Sequence, residues 1–332
     1  MSIMTRDHHR TRAARVAVAL AVVLVLTGCS ADRAPPPAPG PGQLAWRVLA
    51  DAPSERTEVA AAADGSRIWV AGGFRKDGAT VATVEVYDTA ADRWERGPDL
   101  PAAVNHAMAA NLDGTVYVLG GWLAGGLVGR QAFRLAGGRW QAVAELPEGR
   151  AAGVAVALDG KLYVAAGVGP RGLAGSTLVY DPDGDHWTTA PGPPTPREHL
   201  GGAGWDGKLY TVGGRAAGRG NFTAAEVFDP RTGRWEKLPD LPTRRGGLAA
   251  GVTANGLVVA VGGEAEATFE QAEAFDVRAG QWRSLPPMPT ARHGLGVVGI
   301  GTVLYTLAGG PKPGLHTSAA SEAIDLGPLR QS

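Results

Sequence analysis

Cysteine is nearly absent: Cys29 is the single one in 332 residues. No disulfide can form within the chain, so packing and hydrogen bonds must hold the fold. Aromatic residues are sparse at 6%. Neither charge sign is in excess, with Lys+Arg and Asp+Glu at 32 each. That balance excludes the basic surplus of a nucleic-acid-binding surface and the acidic run of a solvating tail. The apolar run at residues 16–26 is about half of the ~20 residues needed to cross a bilayer as a helix. No Gly-Lys-Ser/Thr phosphate loop, Gly-x-Ser-x-Gly elbow or His-Glu-x-x-His pair occurs, which removes common nucleotide, esterase and metalloprotease chemistries. Glycine and proline are plentiful instead, at 49 and 24, as suits many short strands joined by tight turns.

The N-terminus reads as a processing signal. Arg6, Arg10, Arg12 and Arg15 precede the apolar run, which ends in Leu26-Thr27-Gly28-Cys29. These four residues resemble the lipobox of bacterial lipoproteins. The resemblance implies cleavage before Cys29 and acylation of its thiol, with the fatty chains holding the protein on the outer side of a membrane. An ordinary secretory signal with an incidental cysteine is the plainer alternative. Residues 1–28 are thus assigned to a signal peptide. Residues 29–42 form a linker from the lipidated Cys29, in which the stretch 31–42 (ADRAPPPAPGPG) is extended by its prolines. Removing residues 1–28 leaves 28 basic and 31 acidic side chains, too even a balance to point to a partner.

From Leu44 onward the chain is periodic. Trp46, Trp94, Trp140, Trp187, Trp235 and Trp282 are separated by 48, 46, 47, 48 and 47 residues. A second comb, Trp69, Tyr117, Tyr163, Tyr210, Val259 and Tyr305, precedes small-residue pairs. The pairs are Gly72-Gly73, Gly120-Gly121, Ala166-Gly167, Gly213-Gly214, Gly262-Gly263 and, after Ala308, Gly309-Gly310. A third comb alternates, as in Val84-Glu85-Val86-Tyr87-Asp88 and Glu226-Val227-Phe228-Asp229. A period in the high forties predicts propeller blades rather than a helical solenoid.

Each unit reads as four strands. In the fourth, residues 200–205 form an inner strand of small residues and Asp206-Gly207 a hairpin turn. Residues 208–212 form the second strand, 226–229 the third, and 234–238 the outer one. The double glycine followed by an aromatic, with a Trp seven residues after it (Tyr87 to Trp94, Tyr180 to Trp187), resembles the Kelch repeat. The resemblance covers residues 44–326, with Ala166 as a departure and a sixth unit that ends after Asp325 without a Trp. It implies an all-β, six-bladed Kelch-type β-propeller over residues 43–327, with 328–332 as a tail. The unpaired Trp46 predicts that residues 43–49 pair beside 321–326 and close the ring with strands from both chain ends.

Kelch propellers usually bind through loops and through residues at the mouth of the central channel. Arg56, Arg150, Arg197, Arg245 and Arg292 recur at the start of the inner strand, and Asn105-His106 breaks the pattern in unit two. Five guanidinium groups at a mouth would suit an anion. The competing expectation pairs them internally with Glu85, Glu226, Glu273 and Glu322, one per blade in four blades. His106 and His199 stand eleven residues before their unit's Tyr and His293 twelve, so all three are binding candidates. Metal ligation by them is not expected, because inner strands on opposite sides of a six-blade ring stand too far apart and no carboxylate is clearly positioned to complete the set. Phe74-Arg75-Lys76 and Trp122, directly after glycine pairs, are contact residues or packing.

Two enzyme groups share this architecture. Galactose-oxidase-like copper enzymes need a Tyr–Cys crosslink, which the lipid-bound Cys29 cannot supply, and no cofactor is expected. Sialic-acid mutarotases are also six-bladed Kelch propellers, and Glu198 beside Arg197 and Glu148 near Arg150 keep that alternative open. The leading expectation is a membrane-anchored binding or scaffold protein, without assigned catalysis, that contacts a protein or glycan through its channel mouth.

Overall fold

The computed structural model describes residues 44–329. The signal peptide, Cys29 and the Pro-rich linker lie outside the described residues, as do residues 43 and 330–332. Among the described residues there is no helix. Six four-stranded antiparallel sheets carry the fold, five of them meanders from an innermost to an outer strand. The innermost strands are Ala60–Asp64, Met108–Leu112, Val154–Leu158, Gly201–Trp205, Ala249–Thr253 and Gly296–Ile300. They follow one another around a closed circle, which makes the sheets blades 1 to 6 of a propeller. The residues facing the axis are mostly Ala, Gly and Val, because larger side chains would collide where the blades converge.

Blade 6 takes its outer strand from the other end of the chain. Trp46–Val48 pairs antiparallel with Ser321–Asp325, in the register Trp46 opposite Ile324 and Val48 opposite Glu322. The tail begins later than the sequence indicates, since Leu329 packs on the apolar core beside Leu326 and its carbonyl accepts a hydrogen bond from Asn255 Nδ2 at 3.2 Å.

Each comb has a physical cause. All six repeat tryptophans donate their indole N–H to a backbone carbonyl some 42 to 44 residues back, or, for Trp46, across the closure. The acceptors are Pro286, Ala50, Pro98, Ala144, Pro191 and Pro239, at 2.8–2.9 Å. Each bond ties one blade's outer strand to the chain leaving the blade before it, so the period is a row of interblade links.

The small pairs form a second set of links. The N–H groups of Gly73, Gly121, Gly167, Gly214, Gly263 and Gly309 donate across to the next blade, to the carbonyls of Val104, Arg150, Arg197, Arg245, Arg292 and Arg56. A Cβ on Gly120 would stand 2.1 Å from the Arg150 carbonyl oxygen, which is why the close approach favours glycine. Here the sixth unit differs from the sequence reading. The residues in the left-handed pair conformation are Ala308 and Gly309, with φ of 56° and 98°, so the pair is shifted by one and alanine stands first, as at Ala166.

Candidate functional site

The arginines expected to bind at the channel mouth do not stand there. Arg56, Arg150, Arg197, Arg245 and Arg292 are 0–1% exposed and lie inside the blades rather than at the mouth. Arg56 pairs with Glu85 at 2.9 Å, Arg197 with Glu226 at 2.5 Å and Arg292 with Glu322 at 2.7 Å, and Arg245 pairs with Glu273. Blade 3 has no glutamate on its third strand, and Arg150 uses Glu148 at 2.7 Å. Other guanidinium hydrogens tie down carbonyls of the small-residue turns, such as Gly72 O for Arg56, Gly213 O for Arg197 and Ala308 O for Arg292. In blade 2 the Gln131 amide does this work, donating to Gly120 O at 2.5 Å. A buried charge is tolerable only when paired and hydrogen-bonded, and these are. They are pillars of the turns, and the Nε–H groups of Arg56, Arg150 and Arg245, which lack a partner, are shut inside the blades away from any ligand.

Two residues after each arginine position the chain does something else. Glu58, His106, Ala152, His199, Gly247 and Gly294 occupy equivalent places in the six blades, and all have left-handed φ, between 51° and 67°. The backbone N–H of each donates to the carbonyl of the one before it around the axis, and Glu58 N–H closes onto Gly294 O at 2.7 Å. Six peptide groups thus form a continuous hydrogen-bonded ring at the channel mouth. Glycine occupies such a conformation freely, whereas other residues are strained there by roughly 1–2 kcal/mol. Blades 1, 2 and 4 accept that strain and place a carboxylate and two imidazoles on the ring.

These side chains converge. The His106 and His199 rings are 4.6 Å apart between centroids, with only the small Ala152 between their blades. The expectation that they stand too far apart to act together is overturned, because left-handed backbone leans both rings over the axis. His106 Nε2 lies 3.1 Å from Glu58 Oε2, and His293 Nδ1 lies 3.2 Å from Glu58 Oε1. His293 is offset by one residue, so it reaches the cluster from beside the ring; its Nε2 meets the Lys312 carbonyl at 3.0 Å. Gly294 makes the room: a Cβ there would stand 2.6 Å from Glu58 Cδ.

A second tier adds polar groups. His199 Nδ1 meets Glu198, whose other oxygen accepts from Arg215 Nε at 3.3 Å. Arg215 also reaches Glu264 at 2.6 Å. Trp122 packs edge-on against the His106 ring at 4.8 Å and Phe74 packs edge-on against the same ring at 5.9 Å, which places both post-glycine aromatics at the site. Glu58, Glu198, Glu264, Arg215, Phe74 and Trp122 were not recognised as one site from the sequence. The signal was present as a fixed offset from the arginine and glycine combs. The cluster edges a cavity of about 120 Å³, continuous in sequence with the Ala- and Gly-rich wall of the channel, itself about 370 Å³.

Burial of Glu58 favours its neutral acid. The facing His106, a hydrogen bond from His293 and the nearby His199 override it and hold the carboxyl well below the usual range. Burial pushes His106 down to about 4 despite Glu58. His293 is burdened by burial too, yet its bond to Glu58, with Glu58 and Glu264 charged beside it, raises it above the ordinary imidazole value. A raised pKa stabilises the fold fully below the unfolded value of about 6.5 and loses that contribution as pH rises through the folded value. His293→Gln should accordingly lower the urea midpoint more near pH 6 than near pH 9. Equal losses at both would mean that the Glu58–His293 contact carries no charge-dependent stability.

Comparison with known proteins gives the same architecture. The family model described as the KLHDC2/KLHL20/DRC7 Kelch-repeats domain matches residues 143–310, half of the chain, and the Kelch motif matches residues 55–101. Kelch-like protein terF of Aspergillus terreus is 31% identical over 237 residues, covering 64% of this chain and 50% of that protein. Kelch-like protein 35 of Homo sapiens is 44% identical over 176 residues, covering 53% of this chain and 29% of that one. The chain thus spans half or less of the length of these relatives. A solved structure titled "Structure of YjhT" superposes with a TM-score of 0.71 at 18% identity, covering 82% of this chain and 95% of its own, a likeness of fold. With the repeat, the closed ring of blades and the matching family model in agreement, this chain belongs to the Kelch-repeat β-propellers.

Proposed function

We propose that this propeller is a binding module that receives a protein partner on its loop face, over the channel mouth. The observation that carries the reading is where the chemistry lies. Within each blade the innermost strand starts, and the second strand ends, at the face bearing the Glu58–His106–His199 cluster. The loops leaving the second strands therefore lie on that face. Among the described residues, three of the four exposed large hydrophobics, Leu127, Leu173 and Leu315, sit in those loops, around a centre of Glu198, Arg215 and Trp122. An apolar rim about a charged mouth suits a protein surface with one polar segment inserted. Kelch domains commonly bind proteins, which agrees with this reading. Acylation at Cys29 would hold the module on the outer side of a bacterial membrane, with residues 29–42 as its spacer.

A photo-crosslinking residue at position 127 or 173 of the full chain should capture one discrete partner in the envelope. Arg215→Ala and Trp122→Ala should abolish that capture. Capture from position 231, in a turn on the opposite face, and not from 127 or 173, would move the binding surface away from the mouth.

One observation favours a second reading, an enzyme of the sialic-acid mutarotase type: Glu58 and His199 edge a cavity of about 120 Å³, and each is paired behind it, Glu58 with His293 and His199 with Glu198. Exchange between the anomers of an acidic sugar, followed by NMR, should then be accelerated by the wild-type chain and not by Arg215→Ala. No acceleration removes this reading.

A further inference from the structure

The geometry points to a metal site: Glu58, His106 and His199 together hold one divalent transition-metal ion of the zinc type at the channel mouth, with a coordination position left open toward the loop face. One donor atom from each of the three lies within 4.8 Å of the others. The three come from blades 1, 2 and 4, and each is held in left-handed backbone by the closed peptide ring. The set therefore rests on a rigid support.

Hydrogen-bond valence gives the second argument. A neutral imidazole has one N–H. His106 Nδ1 lies 2.6 Å from Asn105 Oδ1, and the Asn105 amide donates to Thr80 Oγ1 at 2.9 Å, which fixes its oxygen toward the ring. The proton on Nδ1 then leaves Nε2 as a lone pair facing the carboxylate of Glu58 at 3.1 Å. Two acceptors in that relation need something positive between them. His199 repeats the pattern: Glu198 takes its Nδ1–H and leaves Nε2 to bind. A carboxylate or amide oxygen on the far nitrogen of a ligating imidazole is the usual outer support of a metal site, because it sets the tautomer and orients the ring.

The donor set fits the ion. Two imidazoles and one carboxylate form the three-ligand set of open zinc and ferrous sites, whose last position takes water or an incoming oxygen. Donors around an ion at about 2.0–2.1 Å stand roughly 3.3 Å apart, so Glu58 and His106 are already at that separation. No pair has more than roughly 1.5 Å to close. Behind the site the backbone ring narrows the channel, so the open position faces the mouth, beside Trp122 and Arg215. The inference does not depend on a protein partner, since the ion alone tests it.

The test uses the full chain stripped with a chelator, Zn2+ alone as titrant, and equilibrium dialysis with metal analysis. One Zn2+ per chain is expected. Binding should weaken at least tenfold in Glu58→Gln, His106→Ala and His199→Ala, with circular dichroism unchanged. It should persist when His8 and His9 are both replaced by alanine, and in His316→Ala, at an exposed histidine. Should a site variant fail to fold, Co2+ added to the wild-type chain decides: visible absorption of four- or five-coordinate strength supports the site, and the weak absorption of a six-coordinate aqua ion overturns it. No stoichiometric Zn2+ in the wild type, or binding that vanishes with His8 and His9, would equally overturn it.

Discussion

Glu226→Ala should lower the stability of the propeller by about 3–5 kcal/mol, a fall in melting temperature on the order of 10 °C. The carboxylate is 1% exposed and pairs with Arg197 at 2.5 Å, while Thr195 Oγ1 donates to its other oxygen at 2.7 Å. Removing it leaves a guanidinium in the blade interior with no counter-charge. Burial already disfavours the charged form of Arg197, and Glu226 is what opposes that effect. Arg197→Ala should cost a similar amount, since Gly213 O, Thr195 O and Thr211 Oγ1 lose their donors as well. The double substitution should cost clearly less than the sum, because each single change strands the other partner. Arg231→Ala, at an exposed pair with Asp229, should change stability by less than about 1 kcal/mol. Calorimetry of the four variants measures all of this. If Arg197→Ala left the melting temperature unchanged and instead removed affinity for an anion, the arginines would be ligand contacts and the pillar assignment would fail.

Removing residues 1–49 should prevent the propeller from closing, whereas removing residues 1–42 should leave it folded. The difference is one short strand. Trp46–Val48 covers Ser321–Asp325, in which Ala323 and Ile324 are fully buried, and its Trp46 indole bonds Pro286 O in blade 5. Leu49 N–H donates to Ser321 O at 2.9 Å. Without that strand the third strand of blade 6 becomes an exposed hydrophobic edge, which is a template for aggregation. Each blade also loses part of its neighbour's support, because a ring opened once is a row with two free ends. Size-exclusion chromatography and a urea titration of the two truncations separate the outcomes. A chain lacking residues 1–49 that stays monomeric with an unshifted midpoint would show that blade 6 stands on three strands.

Much of this was legible in the chain because blades are local. Each is a meander of about 47 residues, so its tryptophan, small-residue pair and alternating strand recur at fixed spacing, and the period alone gives six blades. The pairing of Arg56, Arg197, Arg245 and Arg292 with Glu85, Glu226, Glu273 and Glu322 was also legible as one expectation of two, since both partners lie in the same repeat. Arg150 was harder: its partner, Glu148, comes from the approach to the blade and breaks the pattern. The shift of the last small pair to Ala308-Gly309 was missed because Gly309-Gly310 looks more like its counterparts, and only the backbone conformation shows which residues turn.

The sequence by itself therefore determined the blade count, the closing of the ring by Trp46 and the residues of the interblade links, all of which are set within one repeat or by an unpaired repeat element. The tertiary structure alone decided the candidate site. Glu58, His106, His199, Arg215, Glu264 and His293 come from five different blades and meet only because the ring brings their equivalent positions to one axis. Whether two such positions touch depends on ring radius, on left-handed backbone tilt and on the small residue between them at Ala152. None of these is a property of spacing along the chain; all three are fixed when six blades pack together.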